Sequence, residues 1–119
     1  MPATAPRHEQ IPAVELFAAM QQEPRPQVID VRRPAEYEQG HVAGARHVEL
    51  GPELARTPAL AGLDRRRRTL VICRTGYRSS AAIAQLAAAG FTALGNVGDG
   101  MAGWSSNHLP IATGKATGG

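Results

Sequence analysis

Cys73 is the only cysteine among 119 residues, which excludes an internal disulfide. A lone thiol is an odd liability in an oxidising compartment and an available nucleophile in a reducing one, so the cytoplasm is the expected location. Aromatic residues make up only 4% of the chain, so the core must be built from Ala, Val, Leu and Ile. No apolar run approaches the roughly 20 residues of a membrane-spanning helix, and no membrane partner is expected. Residues 1–10 carry Pro, Arg, His and Glu without an apolar stretch and do not read as a signal peptide. The four histidines are too scattered for a metal site; no metal and no cofactor are expected.

A hydrophobic share of 43% and a charged share of 19% are those of a globular protein. The length fits one domain, expected over residues 8–112, with a disordered Gly/Thr/Ala/Lys tail at 113–119. The net charge is +3, much of it from the run Arg65 to Arg68. No aromatic interleaving or binding motif accompanies that run. It reads as a solvated turn before a strand, with no nucleic-acid partner expected. A modest positive balance also favours small anionic substrates.

Strand and helix signals alternate along the chain. Ile11 ends a short first strand, and a helix runs from Pro12 to Gln21 with Val14, Leu16, Phe17 and Met20 at helical spacing. Val28 to Val31 reads as a buried strand; Pro34 opens a short helix over Ala35 to Glu38. Ala45 to Leu50 reads as another strand, and a short helix is expected around Glu53 to Arg56. Thr69 to Ile72 is the clearest strand. Ser79 then serves as N-cap of a helix over Ala81 to Ala89, and Ala93 to Val97 forms the last strand. This alternation predicts an α/β domain whose largely parallel central sheet carries helices on both faces. Ligands of such sheets sit at the carboxyl ends of strands, where Cys73, the pair Asp30 and Arg32, and the turn Gly98-Asp99-Gly100 all fall.

Cys73 ends an apolar strand and opens the loop Arg74-Thr75-Gly76-Tyr77-Arg78, with Ser79 at a helix start. A loop this tight turns successive backbone N–H groups inward as an anion-binding nest. The following helix adds the positive end of its dipole, and Arg74 and Arg78 add full charges. All of these favour thiolate, the reactive form. A lone Cys is often a small buried hydrophobe, but this one is followed by polar and charged neighbours.

The segment Cys73-Arg74-Thr75-Gly76-Tyr77-Arg78-Ser79 resembles the active-site loop of the single-domain rhodanese-like sulfurtransferases, of the thiosulfate sulfurtransferase type. Glu36 to Ala45, with Asp30-Val31-Arg32 before it, resembles the family's upstream signature. Gly100-Met101-Ala102-Gly103-Trp104 and Leu109-Pro110 resemble its C-terminal one, and the likeness runs from about Ile11 to Pro110. The resemblance implies an enzyme in which Cys73 takes sulfane sulfur from a small anionic donor such as thiosulfate. The resulting persulfide would pass its sulfur to cyanide, a thiol or a protein acceptor. Cys73 is then the catalytic residue and Arg74, Thr75, Gly76, Tyr77 and Arg78 bind substrate. Asp30, Arg32 and Ser79 support the loop. With no second cysteine, the sulfur must leave to an external acceptor.

His41 reads as a packing histidine, since a low-pKa thiolate needs no base, and Trp104 as a core filler. Many relatives have paired glycines where this chain has Asp99-Gly100, so Asp99 is expected to bring a carboxylate near the pocket. Two other readings compete. A phosphatase or arsenate reductase of related fold would use a loop one residue longer, usually with a His before the Cys; here Ile72 precedes it. A non-enzymatic rhodanese-like binding module would lack the cysteine.

Overall fold

In the computed structural model, which describes residues 8–115, short aliphatic runs form five strands. These are β1 (Glu9–Ile11), β2 (Gln27–Asp30), β3 (Arg46–His47), β4 (Thr69–Ile72) and β5 (Leu94–Val97). They make one sheet in the order β1-β5-β4-β2-β3, and every pairing is parallel. The helices are α1 (Ala13–Met20), α2 (Pro34–Gln39), α3 (Tyr77–Ala88) and α4 (Gly100–Ser106), with two 3-10 turns at Leu54–Arg56 and Pro58–Leu60.

Strand side chains alternate between faces, and each face acquires its own apolar layer. Ile29 and Val71 pack with Ala82, Ile83 and Leu86 of α3 and with Leu54 and Leu60 of the 3-10 turns. Val28, Leu70 and Ile72 pack with Ala13 and Leu16 of α1 and with Met101 and Trp104 of α4. Burying each Val, Leu, Ile or Met side chain of these layers contributes about 1.5–3 kcal/mol. The same alternation decides where the thiol goes. Two residues beyond Val71, Cys73 falls on the α3 face and is buried there.

Three elements differ from expectation in type or by more than one residue, each for a physical reason. The strand predicted over Ala45 to Leu50 is a two-residue edge strand; Val48 and Leu50 still donate to the Asp30 and Val31 carbonyls, but the segment has a neighbour on one side only. The helix predicted over Glu53 to Arg56 is a single 3-10 turn from Leu54. Helix α3 begins at Tyr77, with Gly76 and not Ser79 at its N-cap, because Gly76 adopts a left-handed φ of 88° that turns the chain directly into the helix.

The arginine run lies at the amino end of β4, away from Cys73. Three of its side chains are engaged there. Arg65 donates to the Ala89 carbonyl and covers Phe91, Arg67 reaches the Arg25 carbonyl, and Arg68 pairs with Glu9. Of the segment read as a tail, 116–119 lies outside the described residues, and Gly114 donates its N–H to the Glu38 carbonyl. No helix among the described residues is long and apolar enough to cross a membrane.

Candidate active site

The carboxyl ends of β2, β4 and β5 converge on the loop that follows β4. Its base is tied down by backbone bonds: Met101 donates to the Cys73 carbonyl at 2.8 Å, and Ala102 to that of Arg74 at 3.0 Å. This close approach needs a glycine beside it. A Cβ on Gly100 would stand 2.4 Å from the Cys73 carbonyl oxygen.

Cys73 is 1% exposed. Its Sγ accepts the Gly76 N–H at 3.1 Å and lies 3.4 Å from Ser79 Oγ. The first turn of α3 has no capping side-chain oxygen, and the sulfur stands where one would be. Burial pushes the thiol pKa up. The Ser79 hydroxyl and the backbone N–H groups of Ser79, Thr75 and Gly76 push it down and prevail, so the thiol lies below its ordinary range.

The two loop arginines part company. Arg78 turns to α2 and binds Glu36 through Nη1–Oε1 and Nη2–Oε2 contacts of 2.6 and 2.8 Å. Its charge is thus paired with a carboxylate that lines the neighbouring cleft. The Arg78 hydrogen bond pulls the Glu36 carboxyl down to about 2, outweighing burial. Arg74 is exposed and makes no ion pair among the described residues. It borders a cleft of about 530 Å³ that Arg32, Glu36, Gln39, Gly40 and Met101 also line.

Asp30 and Arg32 form a buried pair behind the loop. Arg32 Nη2 lies 2.8 Å from Asp30 Oδ2 and 2.7 Å from the Gly40 carbonyl, so the guanidinium joins β2 to the end of α2. Thr75 and Tyr77 face solvent, Tyr77 being 78% exposed. His41 stacks on Tyr37 at 3.6 Å and bonds the Tyr37 carbonyl through Nδ1, a packing role. Asp99 corrects the sequence reading. Its Oδ1 accepts the Ala13 N–H at 2.7 Å, so the carboxylate serves the start of α1 instead of entering the pocket.

Sequence reasoning missed two participants. Glu36 opens the upstream signature, but nothing local announced its pairing with Arg78, because the two are 42 residues apart. Asn96 did carry one, a polar residue inside a buried strand. Its side chain bonds Ser79, the residue beside the sulfur. Together these groups enclose Sγ with donors suited to one anionic atom, and the next residue along the loop, Arg74, is an exposed cation.

Residues 13–107 match the Rhodanese-like domain family. The chain is 35% identical over 81 residues to thiosulfate sulfurtransferase GlpE of Pseudomonas entomophila, covering 68% of this chain and 72% of that one. It is 32% identical over 99 residues to thiosulfate sulfurtransferase 18 of Arabidopsis thaliana, covering 73% and 72%. Other relatives are longer: the chain spans 40% of one from Bacillus subtilis and 50% of one from Raphanus sativus. Among solved structures, the polysulfide-sulfur transferase homodimer of Wolinella succinogenes superposes with a TM-score of 0.72 at 28% identity, covering 89% of this chain and 79% of that one.

Proposed function

This chain belongs to the rhodanese-like domain family, and from that premise we propose that it is a thiosulfate sulfurtransferase acting through a persulfide on Cys73. The observation that carries this reading is the buried Sγ at the mouth of a loop whose amides point at it. Relatives named thiosulfate sulfurtransferase support thiosulfate as the donor class.

In the first half-reaction the Cys73 thiolate attacks the outer sulfur of thiosulfate. The sulfur–sulfur bond of the donor breaks, and sulfite leaves with its electron pair. The product is Cys73 persulfide, whose outer sulfur bears the negative charge. In the second half-reaction an acceptor thiolate or cyanide attacks that outer sulfur, and the bond to Sγ breaks to restore the thiolate. This is covalent catalysis of the ping-pong kind. Amides aimed at the charged sulfur cost no reorganisation when the charge develops there.

Arg74 is the cation that meets the incoming dianion. Thr75, Gly76 and Tyr77 form the rim of the cradle, and Arg78 acts by neutralising Glu36 at its edge. Asp30, Arg32 and Ser79 hold the surrounding strand ends and helix turn. The acceptor is a small thiol or a protein thiol. A reducing cytoplasm suits a lone thiol that must be regenerated in each cycle.

Intact mass tests the reading. Thiosulfate should add one sulfur atom to the protein, cyanide or a thiol should remove it, and Cys73→Ser should neither gain mass nor turn over. Turnover by Cys73→Ser would overturn the assignment, because no other cysteine exists to stand in.

A further inference from the structure

Ser79 has one hydroxyl proton and two neighbours that want it. Its Oγ lies 3.4 Å from Cys73 Sγ and 2.5 Å from Asn96 Oδ1, and Ser79 itself is fully buried. Asn96 is 3% exposed, and its amide can face only one way. Nδ2 donates towards the Gly76 carbonyl at 3.3 Å, Ser80 Oγ at 3.0 Å and Gln10 Oε1 at 3.3 Å. The Gly76 carbonyl can only accept, so turning the amide over would set two acceptor oxygens against each other. Oδ1 therefore faces Ser79 as an acceptor.

Proton counting then separates two states. With a neutral thiol, Cys73 S–H donates to Ser79 Oγ and Ser79 O–H donates to Asn96 Oδ1, so every group is satisfied. With a thiolate, Sγ has no proton to give. Either the Ser79 lone pairs face a negative sulfur, or the hydroxyl turns to it and leaves the buried Oδ1 without that donor.

We propose that the Ser79 hydroxyl is a two-position switch, resting on Asn96 while Sγ is uncharged and turning onto Sγ when the sulfur is an anion. Asn96 is the positioning residue that sets the resting state. This deepens the function proposed above and rests on it for the persulfide. In the persulfide Sγ is bonded to the outer sulfur and carries no charge, so the hydroxyl rests on Asn96. When an acceptor takes the outer sulfur, the bond electrons pass to Sγ, and the hydroxyl turns to meet the departing thiolate. Only a hydrogen bond changes partner; no proton leaves Ser79.

The charged groups around the sulfur come from several elements. They are Arg74 on the loop, Arg78 on α3 with Glu36 on α2, and Asp30 with Arg32 at the end of β2; the Asp99 carboxylate before α4 is turned onto the Ala13 N–H. Glu36, held at about 2, stays ionised throughout the range in which a thiol titrates.

The test is the thiolate absorbance of the single cysteine against pH, which needs no sulfur donor and so can fail independently of the sulfurtransferase reading. Ser79→Ala should raise the midpoint by about one pH unit, a tenfold change in ionisation constant, because the thiolate loses its hydroxyl donor. Asn96→Leu should lower the midpoint by about as much, because the Ser79 proton has no competing acceptor. In the Ser79→Ala background, Asn96→Leu should have no further effect. A merely structural role for Asn96 would shift both backgrounds alike, and that result, or a raised midpoint in Asn96→Leu alone, overturns the proposal. Should Asn96→Leu not fold, the unsubstituted protein decides. The carbon-13 shift of the Asn96 side-chain carbonyl should move with the Cys73 midpoint, and a shift that stays constant overturns the switch.

Discussion

Glu36 and Arg78 meet as a two-pronged ion pair, with N–O contacts of 2.6 and 2.8 Å between the first turns of α2 and α3. A cation that looks from the loop sequence like a donor ligand is thereby a counter-charge to a carboxylate beside the cleft. Arg78→Ala leaves that carboxylate exposed to an incoming dianion. Its kcat/KM for thiosulfate should fall about 5-fold, the effect of about 1 kcal/mol of repulsion between the unpaired carboxylate and the dianion across solvent. Glu36→Gln removes the repelling charge and should cost less. Steady-state kinetics of the two variants check this, and equal losses would show that the pair acts only as a structural tie.

The same pair sets an acid limit on stability. The folded state holds the Glu36 carboxyl at about 2 against its ordinary 4.5. A depressed carboxyl stabilises the fold above the unfolded value, and that contribution drains away as pH falls from about 4.5 towards about 2. Both side chains are about a third exposed, so screening reduces the contribution to about 1 kcal/mol. Denaturant titrations at descending pH should show the wild-type protein losing this increment and Glu36→Gln losing less over the same window.

Gly76 is held at a φ of 88°, and a Cβ there would lie 2.4 Å from the Gly98 carbonyl oxygen. Gly98 has little room to retreat, since its own N–H is bonded to the Ile11 carbonyl at 3.0 Å. Gly76→Ala should destabilise the fold by at least about 2 kcal/mol through backbone strain, before the clash is added. It should also move the Cys73 thiol back towards its ordinary pKa, because the Gly76 N–H would no longer point at Sγ. Chemical denaturation and thiol titration read the two effects separately.

Asp99 separates stability from activity. Its carboxylate accepts the first amide of α1, a contact of the kind whose loss costs about 1 kcal/mol. Asp99→Ala should lower the unfolding free energy by about 1 kcal/mol and leave kcat/KM for thiosulfate within about twofold. A large rise in thiosulfate use would mean that the carboxylate does repel the donor.

The chain by itself determined what local chemistry can determine. An aliphatic run ending in cysteine, then a polar turn and an Ala-rich helix, place a thiol at a helix start whatever surrounds them. The strand–helix alternation dictates an α/β sheet, because apolar period and glycine or proline punctuation act over a few residues. Only the tertiary structure decided which partners those groups meet. Arg78 reaches Glu36 across 42 residues, Asp99 reaches Ala13 across 86, and Ser79 reaches Asn96 across 17. Each meeting depends on parallel strands set in register and on helices docked to opposite faces. A substitution on any of those elements could redirect the side chain without altering the local pattern that announces it. Even the start of α3 belongs to this class. Its beginning at Tyr77 and not near Ser79 follows from Gly76 passing beneath Gly98, a contact between two loops that neither loop specifies alone.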